Sequence, residues 1–236
     1  LFGVTPAGAI VGIRSNMTAG ARVWYTPYIN RVYYGNGVEN GWLEGGVSWG
    51  WPLLPPHESE VIVQREYYAA PMGRLLCVFN GRIYMAQGDT LWHSERGSPQ
   101  RWRLGVANMK FEGDITMVEE VTDGMYVSDA LRTYSLTHAG SAGMLRSTIV
   151  CNYPAIRGTA TTTDGSRILA GDVMHGKVAV WASTEGICVG GPQSTFRNLT
   201  ERRLIYPTAI EGAGVVVAKH GQTPGMPVLY ITSLAG

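Results

Sequence analysis

A short pattern recurs along the chain at a nearly constant interval. In each copy a turn residue precedes a run of β-branched or aromatic residues, and a second turn residue follows the run. The copies begin at Asn30, Asn80, Asp123, Asp164 and Glu211, so the intervals are 50, 43, 41 and 47 residues. Most copies continue into a further β-prone run, as in "NGRIYMAQGDTLWHSE" from Asn80. Each copy therefore predicts a β-hairpin.

A repeat of 41 to 50 residues that holds three or four short strands is typical of a β-propeller blade. One blade cannot fold alone, because a small sheet buries one face and leaves its edges open. The five copies predict an all-β fold, a β-propeller of about five blades that forms a single domain over residues 1–236. A β-sandwich or barrel stays open as the alternative, since all hairpins need similar turn residues. Because the chain begins at Leu1 rather than Met, we expect it to be either processed or part of a longer polypeptide.

Composition supports many tight turns and few helices. The 31 glycines and 12 prolines make up about 18 per cent of the 236 residues, against roughly 12 per cent on average. No stretch of 12 or more residues keeps helical apolar spacing without a Gly or Pro inside it. The net charge is only +1, which argues against specific nucleic-acid binding and against attraction to an anionic membrane. No run of about 18 apolar residues is present, so membrane insertion is not expected either.

The three cysteines predict buried, reduced thiols. Cys77, Cys151 and Cys188 are far apart, odd in number and flanked by apolar or small residues. This pattern is neither a disulfide framework nor a CxxC metal site.

One aromatic stretch stands out, "GWLEGGVSWGWPLLPP" at residues 41–56. Large apolar side chains in a Gly- and Pro-rich connection form either a small core beneath a long loop or a contact surface for another chain. Both interpretations stay open. The residues that we assign to a contact with another chain are Trp42, Trp49, Trp51, Leu53 and Leu54.

Catalytic and cofactor motifs are weak throughout the sequence. The histidines fall roughly one per repeat, without metal-ligand spacing: His57, His93, His138, His175 and His220. Some propellers hydrolyse glycosides with paired carboxylates, and the candidates here are Asp89, Glu95, Glu119, Glu120, Asp123 and Asp129. Asp89 is better explained as a turn residue beside Gly88. We expect no enzyme activity, no metal and no cofactor.

Three long segments resemble tail-associated structural proteins of tailed bacteriophages. They are "RVWYTPYINRVYYGNGVENGWLEGG", "VFNGRIYMAQGDTLWHSERGSPQRW" and "EGICVGGPQSTFRNLTERRLIYPTAIEGAGVVV". The resemblance is strongest to nozzle, or tail tubular, proteins of short-tailed phages. In such chains a motif like the second segment opens a blade, and a motif like the start of the third closes one. This chain departs from the closing motif at Gln193 and Ser194, where the family keeps glycine.

The resemblance implies a non-enzymatic virion protein that mediates subunit contacts within a phage tail. Its partners would be other tail proteins and further copies of itself, with a hexamer as the suggested arrangement. Assembly in the reducing host cytoplasm would agree with unpaired thiols. Two alternatives stay open: a propeller that binds a host receptor or carbohydrate, and a glycan hydrolase.

Overall fold

The computed structural model describes residues 1–4, 10–53, 67–139, 144–168, 174–201, 203–206, 208–217 and 229–236. Within these ranges the regular elements are β-strands and two single-turn 3-10 helices, so the all-β prediction is confirmed. The chain divides into two compact units, Leu1–Lys110 and Phe111–Gly236.

The first unit contains a small hairpin and two blades. The hairpin pairs β1 (Phe2–Val4) with β2 (Ile10–Gly12). Blade 1 is an antiparallel meander of β3 (Trp24–Tyr28), β4 (Arg31–Gly35), β5 (Asn40–Glu44) and β6 (Val47–Trp49). Blade 2 has β7 (Arg74–Phe79), β8 (Arg82–Gln87), β9 (Thr90–Glu95) and β10 (Ser98–Trp102), with β11 (Asn108–Lys110) also paired to β9.

The second unit contains two further blades and a hairpin. Blade 3 is β12 (Met117–Val121), β13 (Gly124–Ser128), β14 (Thr133–Ala139) and β15 (Met144–Cys151). Blade 4 is β16 (Thr161–Asp164), β17 (Lys177–Ser183), β18 (Gly186–Gly190) and β19 (Phe196–Asn198). The 3-10 helices are Gly165–Arg167 and Pro192–Ser194. The hairpin pairs β20 (Glu211–Val217) with β21 (Leu229–Ala235).

The four meanders are β-propeller blades, and the repeat read from the sequence corresponds to them. In blades 1 to 3, the repeat begins in the turn before the second strand. The prediction of about five blades is corrected to four, because the fifth copy forms only the two strands β20 and β21 in the described part of the chain.

The turn residues hold the hairpins as their chemistry requires. Asn80 and Gly81 both have positive φ, 48° and 71°, which is the backbone of a two-residue hairpin turn. In blade 1 the Asn36 carboxamide oxygen accepts from the backbone N–H groups of Val38 and Glu39. The Asp129 carboxylate does the same in blade 3, so one four-residue turn is built twice.

A tyrosine occupies the third position of the second strand in three blades. These residues are Tyr33, Tyr84 and Tyr126, and all three are buried. Their rings fill space against the blade faces. Burial raises the pKa of Tyr84 to about 12, so its hydroxyl stays protonated.

The core of the first unit lies where blades 1 and 2 contact each other. The ring of Tyr33 is 4.8 Å from that of Trp51, which in turn is 5.7 Å from Trp102. Both indole N–H groups donate to the same carbonyl oxygen, that of Pro99, at 2.8 Å each. The connection after β6 is thereby joined to the last strand of blade 2.

The core of the second unit lies between blades 3 and 4. The ring of Tyr126 is 5.6 Å from that of Trp181. The Tyr126 hydroxyl donates towards the carbonyl oxygen of Thr195 at 2.7 Å, with that of Gly191 at 2.9 Å as the alternative acceptor. Gly190 lies directly against the Tyr126 ring, where a Cβ would come within 2.6 Å of its carbons.

The cysteine prediction is confirmed. All three cysteines are free and buried. Burial raises the pKa of the Cys188 thiol to about 12 and also raises the pKa of Cys151. Cys151 and Cys188 are therefore protonated at neutral pH, and protonated, buried thiols are poor nucleophiles.

The departure at Gln193 and Ser194 has a clear backbone consequence. Both residues have positive φ, 56° and 58°, in the loop that joins β18 to β19. Glycine reaches this region without strain, whereas a side chain costs roughly 1–2 kcal/mol. Two contacts hold the strained loop on blade 3: the Gln193 N–H donates to the Asp123 carboxylate at 2.9 Å, and the Ser194 hydroxyl to that of Ser135 at 2.9 Å.

We expect Gln193→Gly to raise the free energy of unfolding by about 0.5–1 kcal/mol, because relief of the strained φ exceeds the added chain entropy of glycine. Urea denaturation followed by tryptophan fluorescence measures the change. Gln193→Ala is the matched control, since it removes the same polar side chain but keeps the Cβ. Equal stabilisation by both variants would contradict the inference that the positive φ of Gln193 strains the backbone.

Candidate interaction surfaces

An aromatic row crosses blade 1 from its core to its outer edge. Thr26, Tyr33, Trp42 and Trp49 lie directly opposite one another on four successive strands, so their side chains share one face. Tyr33 is buried and Trp42 half-buried, whereas Trp49 is 52% exposed. The row therefore ends on the surface at β6.

A charged pair supports the middle of this row. The Arg31 Nε donates to Glu44 Oε2 at 3.1 Å, and its guanidinium lies 4.9 Å from the centre of the Trp42 ring. Both contacts lie on the surface, where an ion pair contributes little to stability. Their effect is to fix the orientation of Trp42, whose buried Nε1 has no hydrogen-bond partner in the described structure.

The residues that we assigned to a contact with another chain separate into two groups. Trp51 is only 4% exposed and belongs to the core described above. Trp49 and Leu53 are 52% and 39% exposed. Trp42 lies between the two groups, and Leu54 lies outside the described residues. The interpretation as a small core therefore applies to Trp51, and the interpretation as a contact surface applies to Trp49 and Leu53. The contact with another chain stays a prediction.

A second apolar surface was not predicted as a site. On one face of the β20–β21 hairpin, Val215 lies opposite Ile231 and Val217 opposite Leu229. These four side chains are 50%, 48%, 42% and 62% exposed. The opposite face packs on blade 4 through Tyr230, whose hydroxyl donates to the carbonyl oxygen of Thr159 at 2.8 Å. The apolar residues on both faces of these strands were the sequence signal for this surface.

The histidines do not converge in the described structure. His93 is half-buried beside Tyr84, with ring centres 5.5 Å apart, and burial lowers its pKa. His138 and His175 are exposed, while His57 and His220 lie outside the described residues. The described ranges contain no group of three or more His, Cys, Asp or Glu residues that could hold a metal ion.

Most of the candidate acids have local structural partners. Asp89 accepts from the Thr90 hydroxyl at 2.6 Å, Glu95 lies 3.5 Å from the Arg82 guanidinium, and Asp123 and Asp129 hold the turns described above. Glu119 and Glu120 are consecutive in β12 and so point to opposite faces of the sheet. They do not form the facing pair that glycoside hydrolysis uses.

Glu119 has an unusual environment. It lies on the face of β12 that also carries Met117 and Val121, both of which belong to the apolar contact with blade 4. Burial raises the pKa of Glu119 to about 7; the charge of Lys177 opposes this shift and that of Glu120 adds to it. Its carboxyl group is therefore close to half-protonated at neutral pH.

A shallow pocket of about 220 Å³ lies between blades 1 and 2. Its walls come from the β4–β5 turn at Gly37, the start of β7 at Arg74 and the β8–β9 turn at Gly88. It is smaller than a typical pocket for a small-molecule ligand, which has roughly 300–1,000 Å³. We assign it no ligand.

No protein-family model matches this chain, and no curated protein matches it. In the described ranges, no helix has the length and apolar character needed to cross a bilayer.

Substitution of the two neighbouring tryptophans separates the core from the surface. We expect Trp51→Ala to lower the free energy of unfolding by about 3–5 kcal/mol, because it leaves a cavity beside Tyr33 and Trp102. Trp49→Ala is the matched control and should change stability by less than about 0.5 kcal/mol. Chemical denaturation of both variants measures the difference. Similar losses of unfolding free energy in the two variants would contradict the assignment of Trp51 to the core and Trp49 to the surface.

We also expect stability to depend on pH through Glu119. Its folded pKa, about 7, lies above its ordinary value of 4.5, so the folded state binds the proton more tightly. The stability contributed by the neutral acid is complete below about pH 4.5, falls as the pH rises to about 7 and is constant above that. The free energy of unfolding of Glu119→Gln should therefore exceed that of the native chain by about 2 kcal/mol at pH 8 and equal it near pH 4.5.

Thermal or urea unfolding between pH 4.5 and pH 8 measures this trend. Glu120→Gln is the control, because it removes a charge from the other face of the same strand together with its 2.7 Å ion pair to Lys177. A surface ion pair contributes about 0–1 kcal/mol. A stability difference for Glu119→Gln that did not change with pH would contradict the raised pKa.

Proposed function

We propose that this chain is a non-enzymatic structural protein of a phage tail, and that it joins neighbouring subunits through apolar surfaces of its blades. The observation that carries the proposal is the exposed apolar face of β20–β21, which has four large aliphatic side chains in two directly opposed pairs. Contiguous exposed apolar residues on a folded protein mark sites of contact with other proteins. The exposed end of the aromatic row at Trp49 and Leu53 adds a second such site.

The neighbours in this proposal are other virion proteins and further copies of the chain. A net charge of +1 favours protein contacts over a grip on DNA, because each phosphate contact needs a Lys or Arg. The buried, free thiols agree with assembly in the reducing cytoplasm of the host. The resemblance of the three long segments to tail nozzle proteins supports the location in the virion.

The β20–β21 hairpin is, in this proposal, part of a fifth blade. It arises from the fifth copy of the repeat, and one of its faces already packs on blade 4. The four blades each have at least four strands, whereas this sheet has two. Completion of the fifth blade would require strands in addition to the two that the described residues form there.

Binding of a host carbohydrate is the second candidate. It is favoured by the exposed ring of Trp49, which lies at the end of the aromatic row, two residues after Val47 on the same strand. The ion pair of Arg31 and Glu44 flanks this row. An aromatic face beside charged hydrogen-bonding groups is a common platform for stacking and hydrogen bonding of ligands. Binding of the purified chain to host cells or lipopolysaccharide would favour this candidate over a purely structural role.

The chain is expected in purified virions of its source phage, in several copies per particle, as measured by quantitative mass spectrometry. Its absence from washed particles would refute the proposal. In complementation of a deletion phage, the double variant Trp49→Ala/Leu53→Ser should reduce incorporation several-fold through loss of apolar contact. The double variant Leu131→Ser/Ile149→Ser is the control, since both of these residues are comparably exposed and apolar but belong to blade 3. Equal incorporation of both double variants would remove Trp49 and Leu53 from the contact.

A further inference from the structure

The last strand of each complete blade has a feature that discourages pairing with another chain. Two of these strands, β6 and β19, are only three residues long. Strand β10 contains Pro99 and a register shift, and β15 contains the exposed Arg146 and a register shift. Short strands, proline, charge and irregular register are the means by which proteins protect sheet edges.

Strand β21 has none of these features. Its seven residues, "LYITSLA", include no charge and no proline. It pairs with β20 through seven residue pairs without a register shift. Among the described residues, no strand pairs with its second edge. That edge therefore presents a regular row of backbone N–H and C=O groups suited to another strand.

We propose that β21 pairs antiparallel with β21 of a second copy of this chain, so that two hairpins form one four-stranded sheet in the order β20, β21, β21 of the second copy, β20 of the second copy. This inference deepens the proposed assembly role. It rests on that role in one respect only, which is that more than one copy of the chain is present. Four strands is also the size of the meander in each complete blade of the chain.

The chemistry of β21 fits a copy of itself. A two-fold axis perpendicular to the sheet makes the strands antiparallel and keeps equivalent faces on the same side. With the axis at Thr232, Ile231 faces Ser233 of the second copy and Leu229 faces Ala235, so no like charges meet. Each exposed face carries the aliphatic pairs of β20–β21, and pairing joins the two faces into one.

Ser233 provides a test that leaves the fold intact, because its side chain is exposed on the free face of the hairpin. In the proposed sheet the two Ser233 side chains lie on a diagonal of about 7–8 Å. We expect the native chain to form a dimer that sedimentation velocity detects in a concentration series. Ser233→Lys and Ser233→Glu should each weaken the dimer about tenfold by like-charge repulsion, and an equal mixture of the two variants should restore it.

Ala213→Lys is the matched control, because it adds the same charge to the same exposed face but on β20, one strand away from the new edge and directly opposite Ser233. It should leave the dimer unchanged. Dissociation by Ala213→Lys as well would mean that the hairpins stack face to face, which would overturn edge pairing. Failure of the mixture to dimerise would overturn it too, as would a native chain that stays monomeric at every concentration. Hydrogen exchange should show protection of β21 amides that increases with concentration in the native chain and in Ala213→Lys, and much less in either Ser233 variant alone.

These measurements use the purified chain without other virion proteins. Loss of self-pairing would therefore overturn this inference alone, whereas absence of the chain from virions would overturn the proposed function. Protection of β21 that required a different protein would assign the edge to that protein and refute pairing between copies.

Discussion

Each blade of this chain is a small sheet with two apolar faces, and neither face can be left in water without cost. The rest of the structure follows from that constraint. In the first unit the Tyr33 side of blade 1 is covered by blade 2, and Trp51 closes the contact from the connection between them. In the second unit Tyr126 and Trp181 make the equivalent contact between blades 3 and 4. The aromatic side chains are large enough to fill the space between neighbouring sheets. The polar atoms of Trp51, Trp102 and Tyr126 reach backbone carbonyls, whereas three buried indole nitrogens have no hydrogen-bond partner in the described structure: those of Trp42, Trp92 and Trp181.

The two candidate contact surfaces are the places where an apolar face is not covered by the described part of the chain. The hairpin β20–β21 covers blade 4 with one face and leaves the other open. Blade 1 completes its aromatic row with a tryptophan that is half in water. Both places present exposed apolar side chains, and the row of blade 1 is also flanked by the ion pair of Arg31 and Glu44. Glu119 is the exception among the acids, yet its position inside a contact between blades connects it with stability rather than with catalysis.

Much of the fold could be predicted from sequence, because turn residues and β-branched runs act locally. Asn80 and Gly81 fix a hairpin wherever they occur between such runs. The short outer strands could not be predicted, since three residues such as Val47–Trp49 carry no periodicity. The roles of Trp49 and Trp51 could not be separated either. Strand alternation alone would put both on one face, but β6 ends at Trp49, and only Trp51, beyond the end of the strand, lies in the core. The blade count failed because the fifth repeat looks like the others in sequence but supplies half a sheet.

The neutral, regular strand at residues 229–235 also has a consequence for the order of events in a cell. A seven-residue segment of high β-propensity with neither charge nor proline belongs to the class that nucleates cross-β aggregates when it is left uncovered. Under the proposed pairing between copies, the same edge would be covered in the four-stranded sheet and so withheld from aggregation. Pairing soon after synthesis would then keep the concentration of uncovered strand low.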